Sequence, residues 1–437
     1  MKKIYTLVIA LLFCTQFLAA QMVLKYKIDQ ANTTVKLPFH GIVNVIVDWG
    51  DEMAKDTFKT AGNKQHTYLK TGIYKVSVEG KLTGFGVDQT PQKNLINVES
   101  WDGLGLSSLA YAFFGAENLQ SVPSNLPSTV NDIKSMFQYA TSFNQPIDSW
   151  NTVNITNMSG IFMFTTSFNQ PIGTWNTTNV TDMSGMFFYA FSFNQPIGTW
   201  NTTNVSNMSE MFSSAISFNQ PIGTWNTTNV ENMNYMFYKA TSFNQPVGAW
   251  NTTNVKSMSS MFHYATTFNQ PIGTWSIKNV TSCTNIFNKT SLCTEYYDNL
   301  LNGWSSQVVK SGVNFDGGNS KYSLASAASR ATLKSKAWII YDAGQGIDNT
   351  KCSLLSTEVE QENTSLQKIN IYPNPSTGLF TISCKMLLNT IRIYDAGGTL
   401  LYDQLPTSTE QIIDLSAAKS GLYLLQAGNQ SVTLMKE

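Results

Sequence analysis

The chain has 437 residues, with 28 basic and 28 acidic side chains, so it is long enough for several domains and carries no formal net charge. Charged residues make up only 13 % of the chain and no basic run occurs, which excludes the electrostatic footprint of a nucleic-acid-binding protein. The same composition gives no support for a helix that lies on a membrane surface.

The first 20 residues predict a secretory signal peptide. Two lysines precede an apolar run over residues 4–18, and an Ala-Ala pair ends it. The run is too short and wrongly flanked for a membrane span, so we expect cleavage after Ala20 and a mature chain with no integral membrane segment. Lipidation of Cys14 is the alternative, and the large Phe13 before it argues against that modification.

Residues 22–90 alternate between apolar and polar positions. A period of two, interrupted by turn residues, predicts short strands and a small β-sandwich. The strings DWGD at Asp48, HTY at His66 and GIYKVSV at Gly72 resemble the polycystic-kidney-disease-type (PKD) domain, an immunoglobulin-like module of bacterial surface proteins. The resemblance implies structural roles, so we expect no catalytic role for Asp48, Asp51 or His66.

Residues 91–294 are dominated by a 25-residue repeat. The string FNQP, followed by Ile or Val, two further residues and Trp, ends at Trp150, Trp175, Trp200, Trp225, Trp250 and Trp275. A second phrase places apolar residues at offsets of 0, 3, 6, 7 and 10 from Val180, which fits one face of a short helix. A fixed period of this length is typical of a solenoid, and stacking predicts ladders of Trp on Trp, Phe on Phe and amide on amide from Asn144 to Asn269.

The phrases NVTDMSGMF and SFNQPIGTWNT resemble the BspA-like leucine-rich-repeat surface proteins of bacteria, over about 200 residues. This resemblance implies a right-handed solenoid and a role in surface binding. The predicted fold class is a mixed α/β repeat solenoid, leucine-rich-repeat-like with about eight 25-residue coils, flanked by two small β-sandwich domains. Each coil would join a short extended segment to a helix of two or three turns.

Two cysteines take core-facing positions in the last coil: Cys283 replaces the Met of the repeat and Cys293 replaces the Phe. Because an exported chain meets an oxidising compartment, we predict a Cys283–Cys293 disulfide, with two buried free thiols as the alternative. Whether Cys352 pairs with Cys384 stays open.

The period is lost after residue 294. Residues 295–346 predict a helical cap of the solenoid, since the last coil needs a cover. Residues 347–367 are polar and predict a linker. Residues 368–437 alternate again and predict a second small β-sandwich.

The strings YPNPSTG, IRIYDAGG and IDLSAAKSGLYLL in residues 368–437 resemble the type A C-terminal sorting domain of the type IX secretion system. The resemblance implies the type IX secretion machinery as a partner, and a location outside the cell or on the outer-membrane surface of a Gram-negative bacterium. It also implies a sorting motif, which comprises Tyr372, Pro373, Asn374, Pro375 and Gly378.

The sequence contains no HExxH, paired-cysteine metal spacing, phosphate loop or GxSxG elbow, so we expect no enzyme, cofactor or metal. The residues that differ between repeats are the informative ones, and they give a candidate binding surface of Tyr189, Tyr238, Lys239, His263 and Tyr264. Packing between neighbouring helices is the alternative explanation of these side chains. The predicted function is adhesion-type binding of an extracellular protein or glycan, and the alternative is a structural spacer or surface-layer component without a specific ligand.

Overall fold

A computed structural model describes residues 21–86, 89–346, 352, 370–383, 390–395, 398–404, 408–427 and 430–437. The predicted signal peptide with Cys14, all of the predicted linker except Cys352, and Cys384 lie outside the described residues. The described strands are β1 (Gln21–Ile28), β2 (Thr33–Asp48), β3 (Asp56–Phe58), β4 (Gly62–Tyr68), β5 (Gly72–Phe85), β6 (Leu95–Asp102), β7 (Asn314–Asp316), β8 (Ile339–Tyr341), β9 (Asn370–Tyr372), β10 (Leu379–Ser383), β11 (Ile391–Tyr394), β12 (Leu400–Gln404), β13 (Glu410–Asp414), β14 (Gly421–Ala427) and β15 (Gln430–Lys436). The described helices are α1 (Thr294–Ser305), α2 (Ala327–Ser335) and a 3-10 turn (Leu324–Ser326).

The six N-terminal strands form one sheet, in the order β3-β2-β5-β1-β6, with β4 also paired to β2. β2 is long enough to pair with two further strands besides β5: Thr33 to Phe39 pair with β4, and Val45 to Val47 pair with β3. A register shift between His40 and Val43 separates its two halves. One continuous sheet therefore forms where the sequence predicted a two-sheet sandwich.

The N-terminal sheet leads directly into the repeats. Parallel bridges run from Gly84 to Ser108 and on to Asp132, and then from one repeat to the next as far as Ser282. A single hydrophobic core extends from Met22 through the repeats to Trp338. We call the stacked repeats the repeat column.

The backbone of each repeat forms stacked turns. Every second amide donates to the next repeat, as Gly185 does to the Ser209 carbonyl at 2.8 Å and Phe187 to the Met211 carbonyl at 2.9 Å. The amides between them close tight turns, as Phe188 does onto the Gly185 carbonyl at 3.1 Å. These bonds replace the i to i−4 bonds that an α-helix requires.

Two left-handed residues, four positions apart, recur in these turns. Gly185 has φ 58° and Tyr189 has φ 57°, and in the next repeat Glu210 has φ 60° and Ser214 has φ 59°. A left-handed residue normally ends an α-helix, so no helix can run through this segment. The predicted mixed α/β repeat solenoid is therefore wrong: the described chain is mostly β-strand and stacked turn, with two short α-helices that both lie outside the repeats.

The predicted side-chain ladders are confirmed. The indole rings of Trp150 and Trp175 are stacked at 6.3 Å with an angle of 1° between their planes, and those of Trp225 and Trp250 are stacked at 6.4 Å. The centre of the Phe187 ring lies 5.6 Å from the centre of the Phe212 ring in the adjacent repeat. Equivalent side chains therefore pack on each other along the column.

The asparagine ladder is also present and is built from charge-neutral hydrogen bonds. The Asn219 Oδ1 atom accepts from the backbone amide of Asn244 at 3.0 Å and from the Gln245 side chain at 3.0 Å. The same bonds recur along the column, and Asn269 Oδ1 accepts from the amide of Cys293 at 2.9 Å. The ladder thus continues into the segment that closes the column.

The segment from α1 to residue 346, which includes the predicted cap 295–346, packs against the last repeat. α1 buries Leu300, Leu301 and Trp304 against the repeat column. The Asp342 carboxylate, whose side chain is 1 % exposed, accepts from Arg330 at 2.8 and 3.0 Å and from the Tyr297 hydroxyl at 2.8 Å. A buried carboxylate with these partners ties the end of the cap to α1 and α2.

The disulfide joins Cys293 to Cys352, with their Cα atoms 6.0 Å apart, so the predicted Cys283–Cys293 bond is wrong. Cys283 is a free thiol that is fully buried in the core of the repeat column, and burial raises its pKa to about 12. Cys293 instead lies immediately before α1, at the partly exposed edge of the column. Cys352 also donates its amide to Glu295 at 3.0 Å, so Cys352 is held against α1 by a hydrogen bond as well as by the disulfide.

The C-terminal strands form two sheets around a second core. One sheet has the order β13-β10-β9 and the other has the order β12-β11-β14-β15. Phe380, Ile382, Ile393, Ile413 and Leu425 are among the buried residues between them. This core shares no residue with the core of the repeat column.

The left-handed backbone at Glu210 predicts the sign of one substitution. Glu210→Gly removes the steric cost that a side chain carries at positive φ, so we expect the free energy of unfolding to rise by about 1 kcal/mol. In a helix interior the same change would lower it by about 1 kcal/mol. Urea unfolding would measure the sign, and Glu210→Ala is the control, because alanine keeps the steric cost.

The disulfide predicts a second outcome. A bond across 59 residues restricts the unfolded chain, so we expect Cys352→Ser to lower the free energy of unfolding by about 4 kcal/mol. A reductant should lower the melting temperature of the wild type and of Cys283→Ala, and should leave that of Cys352→Ser unchanged. Loss of reductant sensitivity in Cys283→Ala would instead favour a bond through Cys283.

Candidate binding face and sorting motif

Four of the five candidate surface residues come together on one side of the repeat column. The Lys239 Nζ atom lies 5.4 Å from the ring centre of Tyr238 and 6.0 Å from that of Tyr264. The His263 ring stacks on Tyr264 at 4.7 Å and meets Tyr238 edge-on at 5.2 Å. Tyr189 lies two repeats away and stacks on Phe164 at 4.8 Å. We call Tyr189, Tyr238, Lys239, His263 and Tyr264 the aromatic face.

The turn geometry positions this face. Tyr189, Lys239 and Tyr264 occupy the same left-handed position of their repeats, with φ of 57°, 55° and 59°. The Lys239 amide donates to the His263 carbonyl at 2.8 Å, which holds the two repeats in register. Residues at equal positions of successive repeats are thereby placed side by side. The alternative that these side chains pack between helices is removed, because the repeats contain no helix.

The charge of the face comes from Lys239. Burial lowers the pKa of His263, and the nearby Lys239 and Lys289 lower it further, against the opposing effect of Asp316. The imidazole is therefore neutral at neutral pH. An ammonium between the rings of Tyr238 and Tyr264 gives the face a cation with aromatic surroundings.

A cavity of about 670 Å³ separates the aromatic face from the C-terminal domain. Tyr189, Tyr238, Lys239 and Tyr264 line it from the repeat column. Arg392, Tyr394 and Asp403 are among the residues that line it from the opposite side, and the Arg392 Nε atom lies 3.4 Å from Asp403 Oδ2. Sequence reasoning missed this second wall, because it chose candidates from the variation between repeats alone.

The predicted sorting motif begins at Tyr372, the last residue of β9, and continues through the turn before β10. Asn374 donates from its side chain to the Thr433 carbonyl at 2.8 Å and accepts from the Met435 amide at 2.8 Å. Gly378 is tightly packed: a Cβ atom there would lie 2.7 Å from the Cα of Ser416. Tyr372 hydrogen-bonds Glu410 through its hydroxyl, and Pro373 and Pro375 both follow cis peptide bonds. The motif thus fixes the last strand of the chain onto the other sheet.

The described residues contain no group of three or more His, Cys, Asp or Glu side chains that could hold a metal ion. His66 pairs with Asp51 at 2.7 Å and stacks on Trp49 at 4.7 Å within the N-terminal sheet. None of the helices in the described ranges is long and apolar enough to cross a membrane.

Comparison with known families separates the chain into two matched parts. Residues 107–215 and 192–304, which make up most of the repeat column and α1, match a family described as Mycoplasma protein of unknown function, DUF285. Residues 370–437 match the secretion system C-terminal sorting domain. No curated protein and no solved structure matches the chain. These matches show neither the BspA-like nor the PKD-like resemblance.

The C-terminal match fixes the route of the chain. A secretion system sorting domain over residues 370–437 indicates export by the type IX secretion system. Such export leads to the cell surface or the extracellular space. The chain is therefore an exported protein that carries DUF285 repeats and ends in a C-terminal sorting domain.

Proposed function

We propose that the chain is a non-enzymatic, adhesion-type surface protein that binds an extracellular protein or glycan through the aromatic face. The observation that carries this proposal is one ammonium beside two tyrosine rings, with the His263 ring stacked on Tyr264, on a column whose repeats are otherwise nearly uniform. Tyrosine supplies a large apolar surface with a polar hydroxyl, and it is enriched where proteins bind their ligands.

The geometry supports binding over the alternative of a structural spacer. A spacer needs only the features that repeat, namely the Trp, Phe and Asn ladders. The aromatic face differs from repeat to repeat, and its side chains are at least partly exposed, with Tyr264 the most exposed of the five at 40 %. Residues that the stack does not require, and that water reaches, are available for a partner.

The type IX secretion machinery is the second partner in this proposal, through residues 368–437. The turn that holds Asn374 against the last strand gives the machinery a compact domain with its own core. Recognition would then use a folded surface and not an extended peptide.

One pair of positions gives a matched test of the binding role. Tyr264 and Tyr139 occupy equivalent positions, with φ of 59° and 62°, and are 40 % and 38 % exposed. A panel of glycans and matrix proteins would be screened for binding to the chain. A protease site inserted within residues 353–369 allows the chain to be cleaved before the screen, which detaches the C-terminal domain from the repeat column. We expect Tyr264→Ala to weaken a detected interaction about tenfold and Tyr139→Ala to leave it unchanged, since a central tyrosine contributes about 1–2 kcal/mol.

Two results would contradict this role. One is the lack of any bound panel component. The other is equal loss from Tyr264→Ala and Tyr139→Ala, which would assign the effect to the stability of the turn. Circular dichroism of both variants would confirm that the repeats stay folded.

A further inference from the structure

At one position, two successive repeats carry a large apolar residue where the other four carry threonine. The residue two before the FNQP phenylalanine is Thr141, Thr166, Thr241 or Thr266 in four repeats, and it is Phe191 and Ile216 in the other two. The threonines are partly or fully exposed. The repeat therefore folds with a small polar residue here and does not need an apolar one.

Both exceptions are buried by the sorting domain. Phe191 and Ile216 are 7 % and 4 % exposed, and together with Tyr394 of β11 they form a cluster separate from the two domain cores. Leu424 of β14 and Tyr189 of the aromatic face pack against this cluster. Within the described ranges, the two large apolar side chains thus pack against residues from the far end of the chain and against a neighbour in the column.

Hydrogen bonds and close packing fit the two surfaces together. The Gln426 side chain, which is 7 % exposed, donates to the Ile216 carbonyl at 3.1 Å and also to the Ser242 hydroxyl. A Cβ atom at Gly398 would lie 3.0 Å from the ring of Phe191, so the turn before β12 approaches the column closely. The Gln426 side chain is thus buried at the contact and paired across it, as is typical of a specific interface.

We propose that Phe191 and Ile216 form a docking surface for the chain's own sorting domain, and that the docked domain restricts the access of a large ligand to the aromatic face until it is released. The restriction follows from the cavity, since Tyr238, Lys239 and Tyr264 face Arg392 and Tyr394 across it. Its consequence for ligand binding rests on the proposed function, whereas the docking itself does not.

The contact is small, so its stability depends on the covalent connection between the repeat column and the sorting domain. Phe191, Ile216 and Tyr394 form a small cluster, and the two domain cores are complete without it. A covalent connection within one chain raises the effective concentration of the two surfaces to the order of millimolar, which favours a contact too weak to hold separate molecules. The disulfide fixes Cys352 to the cap, so residues 353–369 alone form the tether. Cutting this segment therefore separates the two parts.

Hydroxyl-radical footprinting with mass spectrometry tests the docking on the full chain. The reporters are Phe191, Ile216 and Tyr394, and the internal controls are the buried Phe193 and Phe212 of the column. In the uncut wild type we expect low oxidation of all five. After cleavage at a site inserted within residues 353–369, oxidation of the three reporters should rise several-fold while the controls stay constant.

A double variant tests the same contact without cleavage. Phe191→Thr with Ile216→Thr restores the residue that the other repeats carry, so the column should remain folded and the oxidation of Tyr394 should rise several-fold. The matched control is Thr141→Ala with Thr166→Ala, which changes the same position of two other repeats and should leave Tyr394 protected.

The outcomes separate the docking from the proposed function. Full oxidation of Phe191 and Tyr394 in the uncut chain would overturn the docking, whatever the chain binds. Protection of Tyr394 that increases with protein concentration would also overturn it, because the contact would then join two copies. Protected reporters in a chain that binds no panel component, cut or uncut, would leave the docking in place and remove the proposed ligand.

Discussion

The structure depends on the register of the backbone hydrogen bonds between repeats. Alternate amides of each repeat donate to the following one, so 25 residues separate equivalent bridge positions from Asp132 to Ser282, and 24 separate Ser108 from Asp132. A single repeat of this kind has too little core to fold alone, and it is stabilised by the neighbours on either side. Both ends are closed by the same bonding: Gly84 of the N-terminal sheet bridges to Ser108, and Cys283 bridges to Phe315 of the cap.

The period alone was enough to predict the ladders, but it did not reveal the backbone that carries them. Tight turns that alternate with inter-repeat bonds turn apolar side chains inward three, four and seven residues after Met183, at Met186, Phe187 and Ala190. An amphipathic helix gives the same spacing, so the pattern reports which residues face the core and not which dihedrals they adopt. The one direct sign of this backbone in the sequence was the glycine at the left-handed position in two repeats, Gly160 and Gly185. Glu210 and Tyr235 occupy the same position in other repeats, so the glycine does not recur as a pattern.

Contacts across long sequence separations were the least predictable. The register placed Cys283 in the core correctly, but the partner of Cys293 lies in a polar segment that has no period. The bond from Gln426 to Ile216 spans 210 residues, and neither end belongs to a recognised motif. The aromatic face was predictable because it is local: adjacent repeats bring His263 beside Tyr238 through the same hydrogen bonds that build the column.

In a regular column of repeats, the residue that most repeats share at one position serves as the reference for a repeat that carries a different residue there. Because equal positions share one backbone conformation, a side chain that departs from the others is not required by the local fold. A buried exception such as Cys283, in the Met position, only fills a space of similar shape in the core. An exception at a position that water normally reaches has no such explanation, so it reports a contact. Phe191 and Ile216 are of this second kind, and each lies against the domain that directs the chain out of the cell.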